Sequence, residues 1–432
     1  MRLAVVGAGV VGTTTAFELT LDGHEVTVFE RRSTVAEEAS FATGPIVAAG
    51  WTAPWNRSER SLCMPWTSRS SGMTLNRLPR GSEWRWLWHW LQAGRHERQT
   101  ENHRQMYQLV RYSQERLLSI TEDHALEHDR SEGMLVLWRG PRDAEQARPA
   151  LLQMKDLGIG FREHSADQAR ALEPALNPET PLHGAVELIG EAVANCREFT
   201  VSIRARAQRL GCRFEFNTRV ESIDSASSTT VDLRLASAGA PPSQNALRTH
   251  AETERFDAVI VCAGAHSASL LHPLGLRVPL QSVQSHSISA AMREPLDAPL
   301  SAVFDTRHGV SIARLGQRIR VAGGCDFGHP PGQLSRSTLR RLYGALTDWF
   351  PGAVRLGGPH GSLQEWQGAQ ATLPDGPPLL GATRVPGVWL NLGHGSAGWS
   401  MACGSARALT DQLAGRNTDI ELHGCSPRRY NL

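Results

Sequence analysis

Three glycines near the start of the chain have the spacing of a phosphate-binding turn. The run Gly7-Ala8-Gly9-Val10-Val11-Gly12 matches the pattern G-x-G-x-x-G. In that pattern the first glycine makes a tight turn, the second lets the backbone approach a pyrophosphate, and the third lets a helix pack on a strand. The N–H groups and dipole of the following helix then favour a bound anion. The spacing predicts a site for the pyrophosphate of a dinucleotide.

An acid follows the turn at the distance that such a site requires. Glu30 lies 21 residues after Gly9, at the end of the strand-like run from His24 to Phe29. A carboxylate there can accept hydrogen bonds from both ribose hydroxyls and would repel a phosphorylated ribose. We therefore predict that Glu30 and the adjacent Arg31 bind the cofactor. The alternative is a glycine turn without a ligand, next to a solvated acid.

The elements that position these residues form a βαβ unit. The apolar run at residues 2–7 predicts a strand, the spacing of Ala16, Leu19 and Leu21 predicts a helix, and residues 24–30 predict a second strand. This order is the one that the dinucleotide pattern needs. The pattern by itself is compatible with either NAD or FAD.

Two later glycine turns favour FAD. Residues 256–265 are typical of a buried strand that ends in a glycine turn, and residues 391–399 form a glycine turn that opens a helix. The free N–H groups at such a helix start can point at an electron-rich ring edge. In a flavoenzyme this edge is N1/C2=O of the isoalloxazine, where negative charge develops on reduction.

Taken together, these motifs resemble the D-amino acid dehydrogenase branch of the FAD-dependent amine and amino-acid oxidoreductases, which includes glycine oxidase. The likeness runs through most of the chain. The segments that carry it are Gly7–Gly12 with Glu30, Glu38–Gly44, Trp84–Trp90, Asn217–Val220, Val261–Ala265, Gln317–Gly324, Thr372–Gly376 and Gly393–Ser405.

The resemblance implies noncovalently bound FAD, with the backbone at Val220 on the adenine and the segment Ser40 to Gly44 near the flavin. It places His394 beside the flavin and not in a catalytic role. The residues predicted to bind the cofactor are Gly7, Gly9, Val10, Val11, Gly12, Glu30, Arg31, Ser40, Thr43, Gly44, Val220, Ala263, Gly264, Gly393, His394, Gly395, Ser396, Ala397 and Gly398. No metal site is predicted.

The expected fold class is α/β, with a Rossmann-like FAD-binding domain and an inserted α+β substrate domain built on a mixed or antiparallel sheet. A helical stretch from about Ser82 to Thr121 and alternating runs between about Leu280 and Gly323 belong to the insertion. The predicted FAD-binding domain comprises residues 1–80, 185–278 and 355–432, and the predicted substrate domain comprises residues 81–184 and 279–354.

The substrate site departs from the family pattern. Where the resemblance places an arginine that grips a substrate carboxylate, the chain has Gln370, and His286 takes roughly the place of a substrate-facing tyrosine. The segment Gly190–Cys196 is also less acidic than in the relatives. Each charge-assisted hydrogen bond is worth about 1.5 to 3 kcal/mol. Either another cation replaces the arginine, with Arg314 or His286 as candidates, or the substrate carries no carboxylate there.

The composition excludes several classes of protein. The 432 residues, 41% hydrophobic and 20% charged, are typical of two or three folded domains. Lys and Arg number 45 against 43 Asp and Glu, so the net charge of +2 provides no overall attraction to nucleic acid or to an anionic membrane. Seven cysteines are scattered singly, which argues against disulfides and zinc and predicts a cytoplasmic protein.

One segment offers an alternative location at the inner face of a membrane. The sequence has no run of about 18 apolar residues that could span a bilayer. Trp84, Trp86, Trp88 and Trp90, however, form a dense aromatic segment that either packs in the core or makes peripheral membrane contact.

The function predicted from these observations is D-amino acid dehydrogenation. A hydride passes from the α carbon to flavin N5, which gives an imine and then a 2-oxo acid and ammonia. The alternatives are oxidation of a different amine or hydroxy compound, a noncatalytic flavin-binding subunit, or an NAD-dependent dehydrogenase. The electron acceptor is either a quinone or oxygen, and the sequence leaves the oligomeric state open.

Overall fold

The computed structural model describes residues 1–48, 73–94, 96–225, 230–238, 252–357 and 362–432. Its helices are α1 (Val10–Leu21), α2 (Ser82–Ala93), α3 (His96–His124), α4 (Pro141–Asp156), α5 (Ala166–Leu172), α6 (Cys196–Arg209), α7 (Ser267–Leu271), α8 (Arg336–Trp349) and α9 (Gly398–Leu413). Its strands are β1 (Arg2–Val6), β2 (Glu25–Phe29), β3 (Ile46–Val47), β4 (Met73–Leu75), β5 (Ser131–Glu132), β6 (Met134–Trp138), β7 (Phe161–Ser165), β8 (Gly184–Leu188), β9 (Ala192–Val193), β10 (Arg213–Glu215), β11 (Thr218–Ser225), β12 (Val231–Ser237), β13 (Glu252–Phe256), β14 (Ala258–Val261), β15 (Gln281–Ala291), β16 (Ala302–Asp305), β17 (Val310–Leu315), β18 (Arg318–Phe327), β19 (Leu363–Thr372), β20 (Leu379–Ala382) and β21 (Val388–Leu392).

The predicted βαβ unit is confirmed and forms the centre of a parallel sheet. Its strand order is β10-β2-β1-β14-β21-β20, with β20 antiparallel to β21 and the other pairs parallel. Strand β14 is buried along its whole length, as expected for a parallel strand covered on both faces. Helices α1, α6 and α9 and part of α3 cover one face, and the small sheet β11-β12-β13 covers the other.

A second, larger sheet forms the other half of the molecule. Its order is β19-β15-β18-β17-β16-β6-β8-β7, with β4 beside β18. Helix α8 packs on one face through an apolar cluster that includes Leu342 and Trp349. The opposite face meets the loop before β3, where the Ser287 hydroxyl donates a 2.6 Å hydrogen bond to the Ala42 carbonyl. The α/β fold class with a separate sheet-based unit is confirmed.

The structure departs from the predicted domain boundaries in both directions, and the boundaries themselves stay a prediction. Strands β4, β8 and β19 lie in the large sheet, although the predicted FAD-binding domain contains residues 1–80, 185–278 and 355–432. Helix α3 packs against α9 and contributes Leu117 and Ile120 to the core around α1, although residues 81–184 were assigned to the substrate domain. Amphipathic periodicity shows that a helix has a buried face, but not which neighbour covers it.

The long helical stretch expected from Ser82 to about Thr121 consists of two helices. Helix α2 ends at Ala93 with Gly94 as its C-cap, and α3 begins at His96. Glycine is a common helix terminator because it lacks a side chain. No helix in the described part of the chain is long and apolar enough to span a membrane. Of the seven cysteines, Cys63 lies outside the described residues, and the other six are buried free thiols.

Candidate cofactor and substrate site

A cavity of about 620 Å³ lies between the two sheets. Its wall includes Val6, Phe29, Cys262 and Leu392, which stand at or just after the carboxyl ends of β1, β2, β14 and β21. This is the edge at which open α/β sheets bind ligands. The predicted residues that line it are Gly7, Gly9, Val10, Val11, Glu30, Arg31, Ser40, Thr43, Val220, Ala263, Gly264, Gln370, Gly393, His394, Gly395, Ser396 and Gly398.

The glycine turn fits a pyrophosphate. Gly7 has φ of 103°, and a Cβ there would lie 2.7 Å from the Cys262 carbonyl oxygen. A Cβ on Gly12 would lie 1.9 Å from the Gly7 carbonyl oxygen, so Gly12 serves the packing of the turn and does not line the cavity. Gly9 has no side chain with which to cap α1, and of the first-turn N–H groups that of Val10 donates to Ser40 Oγ. The start of α1 therefore faces the cavity with backbone donors available to an anion.

Glu30 lies at the cavity wall in the orientation expected of a ribose-binding acid. Its two carboxylate oxygens accept hydrogen bonds from the backbone N–H groups of Ala8 and Arg32, each at 2.8 Å. Burial raises the pKa of Glu30, and these two hydrogen bonds oppose the rise. Each carboxylate oxygen has a further lone pair with which it can accept a hydrogen bond from a hydroxyl group. The residues present fit the adenosine diphosphate part of FAD.

A charged group of Arg31, Glu38 and His266 lines this end of the cavity, and His266 is the member that was not predicted from the sequence. Arg31 donates to Glu38 and lies 2.9 Å from the Nε2 atom of His266. Although burial opposes it, hydrogen bonding from Arg31 and Arg32 lowers the pKa of Glu38, while burial lowers that of His266. Glu38 and His266 both line the cavity. The position of His266, directly after the glycine turn that follows β14, is the only sequence signal that pointed to it.

Strand β11 supplies a further part of the cavity wall and begins next to this charged group, where the Thr218 N–H donates to the Glu30 carbonyl. Val220 is buried and lines the cavity, and the pairing of β11 with β12 shifts register between Val220 and Ser222. A bulge of this kind leaves backbone groups outside the ladder. Backbone atoms near Val220 are therefore available to a ligand, as the contact expected with adenine requires.

The loop after β2 brings the FAD-binding half against the large sheet. Ser40 Oγ accepts a hydrogen bond of 3.1 Å from the Val10 N–H, and Thr43 lines the cavity. Gly44 does not line it, because it packs on the large sheet, where a Cβ would lie 3.7 Å from the Ala322 methyl. The loop therefore contacts the glycine turn through Ser40 and the large sheet through Gly44.

The start of α9 forms the far end of the cavity. Its N-cap, Ala397, makes no side-chain capping bond and does not line the cavity, whereas Gly395, Ser396 and Gly398 do. His394 is buried with Nε2 3.1 Å from Ser405 Oγ, and burial lowers its pKa to about 3. His394 is therefore neutral at physiological pH. The helix N-terminus, and not an imidazolium, provides positive potential here.

Gln370 on β19 is the part of the large sheet that lines the cavity, together with Ala369 and Ala371. It pairs with Val283 of β15, so its side chain is on the sheet face opposite α8. Trp366 and Gly368 share that face because side chains alternate along a strand. A Cβ on Gly368 would lie 2.0 Å from the Trp366 indole, which shows that the ring covers Gly368.

His286 and Arg314 do not belong to the cavity wall. His286 is buried on the α8 side, where Nε2 accepts a 3.0 Å hydrogen bond from the Ser335 N–H and Nδ1 lies 3.4 Å from Asp326. Burial lowers its pKa. Arg314 donates to the Gly316 carbonyl in an exposed turn. The prediction of His286 rests on the place of a tyrosine in the relatives, and that of Arg314 on its strand. Neither shows which face the strand presents, and the structure places neither residue in the cavity wall with Gln370.

Comparison with known proteins covers the whole chain. A family model described as DAO, FAD dependent oxidoreductase, matches residues 2–412. A D-amino acid dehydrogenase from Bradyrhizobium diazoefficiens is 31% identical over 435 residues, covering 100% of this chain and 99% of that protein. One from Cereibacter sphaeroides is 33% identical, with coverage of 100% and 95%. The glycine oxidase structure from Geobacillus kaustophilus superposes with a TM-score of 0.74 at 19% identity, covering 98% of this chain and 97% of that one.

Proposed function

The chain belongs to the family of FAD dependent oxidoreductases, and from that premise we propose that it dehydrogenates a D-amino acid. The C–H electron pair of the α carbon leaves as a hydride, the nitrogen lone pair forms the C=N bond, and water converts the imine to a 2-oxo acid and ammonia. The observation that carries this proposal is the cavity, which joins a complete dinucleotide site to the Gln370 face of the large sheet. The full-length likeness to two D-amino acid dehydrogenases supports it.

The division of labour among the residues follows from their positions. FAD, when bound, supplies the hydride acceptor. The Gly7–Gly12 turn and the start of α1 hold the pyrophosphate, and Glu30 accepts hydrogen bonds from the ribose hydroxyls. The uncapped start of α9 stabilises negative charge through its N–H groups. Orientation of the substrate and exclusion of water account for the remaining rate enhancement.

Substrate recognition differs from that of an arginine clamp. The amide of Gln370 can both donate and accept, but it carries no charge. In the proposed function it orients the substrate through neutral hydrogen bonds, which are weaker than charge-assisted ones. The Trp366 indole, four residues away on the same face, covers Gly368 and provides an apolar surface next to Gln370.

The test is anaerobic bleaching of the flavin absorbance by matched pairs of D- and L-amino acids. Faster and fuller bleaching by the D enantiomers supports the proposal. Bleaching only by N-alkyl amines or hydroxy acids would replace the substrate class, and bound FAD that no compound bleaches would contradict catalysis. In the same assay Gln370→Arg is expected to lower the apparent Kd for amino acids, because it restores a carboxylate-binding cation. Gln364→Arg, at the exposed far end of β19, is the matched control.

We further propose that α2 brings the protein to a membrane surface, where a quinone is the electron acceptor. One side of this helix is buried: Trp86 and Trp90 belong to an apolar cluster with Val283 and Phe327. Its other side exposes Trp84 and Trp88 by 51% and 55%. Exposed tryptophans next to cationic residues are typical of helices that lie at a membrane interface.

Vesicle flotation tests this second proposal. The protein is expected to float with anionic phosphatidylglycerol vesicles, and a variant with Trp84→Ser and Trp88→Ser is expected to remain in the lower fraction. Leu296→Ser, an exposed apolar position outside α2, serves as the control. Failure of the wild-type protein to float, with reoxidation by oxygen faster than by a soluble quinone, would favour the oxidase alternative.

A further inference from the structure

Arg320 stands on the face of the large sheet that meets the FAD-binding half. On β18 it pairs with Ser289 of β15 and Ala313 of β17. Its neighbours Ile319 and Val321 point into the apolar cluster under α8, so alternation along the strand directs Arg320 to the opposite face. Ala322, two residues further and on the same side as Arg320, is the residue that packs under Gly44.

Arg320 is a buried guanidinium that is only 8% exposed, and its Nε atom has no hydrogen-bond partner among the described residues. Within the described ranges its side chain makes no hydrogen bond, and Glu198 attracts it only through space. Burial lowers the pKa of Arg320 to about 10, which still leaves it charged at neutral pH. A buried charge normally requires a partner, since losing hydration is costly.

The other arginine on this face is already satisfied. Arg318 donates to the hydroxyl and carbonyl oxygens of Ser289, at 2.9 and 2.7 Å. Arg320 has a different neighbour, Cys196, which begins α6 and lines the cavity. Its positive charge opposes the rise in the pKa of Cys196 that burial causes. The charge of Arg320 is therefore close to Cys196 in the cavity wall, although Arg320 itself does not line the cavity.

We propose that Arg320 is an electrostatic residue of the flavin site, whose positive charge stabilises the negative charge that bound FAD gains when it accepts a hydride. The inference rests on the proposed function, because it assumes hydride transfer from the substrate α carbon. In that step the C–H electron pair and its hydrogen move to the acceptor, the substrate becomes an iminium, and the acceptor takes up one negative charge. The positive charge on Arg320 stabilises this negatively charged product, because solvent and salt screen the attraction between partly buried charges only weakly.

The size of the effect follows from Coulomb's law. At an effective dielectric of about 20, two unit charges about 10 Å apart change an equilibrium roughly tenfold. A tenfold change in a two-electron equilibrium corresponds to about 30 mV. Removing the charge should therefore lower the flavin midpoint potential by about this amount and weaken sulfite addition, which also places negative charge on the flavin, by about tenfold.

The experiment uses the FAD-loaded protein and needs no amino-acid substrate. Arg320→Met is expected to show the lower midpoint potential in an equilibrium dye titration and the higher sulfite Kd. Arg320→Lys should keep both near the wild-type values, and Arg340→Met on the exposed side of α8 should change neither. If Arg320→Met does not retain FAD, Arg320→Gln provides the same comparison with a polar side chain.

Unchanged potential and sulfite affinity in a folded, FAD-loaded Arg320→Met or Arg320→Gln protein would overturn the inference. So would equal losses in Arg320→Met and Arg320→Lys, because these would point to lost packing and not to lost charge. These outcomes are separate from those of the substrate test. If D-amino acids fail to bleach the flavin while Arg320→Met still shifts its potential, the substrate assignment fails and the electrostatic role stands.

Discussion

The indole of Trp366 occupies the space above Gly368, where a Cβ would come within 2.0 Å of the ring. The two residues lie on the same face of β19, and Gln370 follows on that face in the wall of the cavity. Because glycine has no side chain, the ring can lie flat along the strand. This pair determines the shape of the surface next to Gln370.

Gly368→Ala should therefore alter substrate binding in a protein that still folds. The added methyl group forces the indole to move, and overpacking of this kind costs about 1 to 3 kcal/mol, with the lower end expected because a side chain and not the backbone must shift. Substrate affinity should fall by about threefold or more, with a change in tryptophan fluorescence. Steady-state kinetics and urea unfolding test both expectations. Gly344→Ala in α8, where a Cβ would meet nothing within 4 Å, is the matched control and should leave KM unchanged.

Replacing Glu30 by Gln should weaken FAD binding. The carboxylate accepts hydrogen bonds from two backbone N–H groups and has further lone pairs that can accept hydrogen bonds from a ligand. Hydrogen bonds to charged groups contribute about 1.5 to 3 kcal/mol each, so losing one predicts at least a tenfold higher Kd for FAD. Reconstitution of the apoprotein, followed by flavin fluorescence, measures this. Glu25→Gln, at the exposed start of β2, should bind as the wild type does, and an unchanged Kd in Glu30→Gln would remove Glu30 from the site.

Much of this site could be predicted from the sequence, because its signals are local. The glycine spacing and Glu30 follow from chain distance alone, and each lies where the turn and strand end require. The roles of His286, Arg314 and Arg320 could not be read in the same way. They stand on neighbouring strands of one sheet, and only the cross-strand register shows which side chain faces α8 and which faces the cavity. The alternation of side chains along a strand shows which residues share a face, but one known contact is needed to tell which neighbour that face meets.

Glu173 predicts a pH dependence of stability in the large-sheet half. Burial raises its pKa to about 7, although its carboxylate accepts a 2.9 Å hydrogen bond from the Leu300 N–H. A carboxyl group whose pKa is higher in the folded state binds protons more tightly there. Its contribution to stability is therefore fully present below its ordinary pKa of 4.5 and is lost as the pH rises through about 7. The loss is about 3 kcal/mol over this range.

Urea unfolding at pH 5 and pH 8 tests this prediction. The wild type should lose stability between the two values, while Glu173→Gln should lose much less because the amide does not ionise. Glu179→Gln, an exposed acid in the following turn, should behave as the wild type does. A Glu173→Gln curve with the wild-type slope would show that Glu173 does not titrate in this range.

Glu18 should be essential for the helical layer. It is fully buried in α1, accepts two hydrogen bonds from Arg116 of α3 at 2.7 and 3.0 Å, and lies 3.0 Å from Arg407 of α9. Glu18→Gln would leave the partly buried Arg116 guanidinium without a carboxylate, while Arg407 keeps Asp22 and Asp411, and breaking such a pair costs about 3 to 5 kcal/mol. The midpoint of chemical unfolding should fall accordingly. Glu18→Asp keeps the charge and should lose less, and equal losses in the two variants would assign the effect to packing.

The cofactor cavity is built from the two ends of the chain. The turn at Gly7–Gly12 supplies one wall, and Gly393–Gly398, with the start of α9, supplies another. During synthesis the first wall leaves the ribosome long before the second, with the large sheet made in between. We therefore expect the N-terminal glycine turn to retain FAD only after almost the whole polypeptide has been made, so that flavin incorporation follows synthesis of the chain.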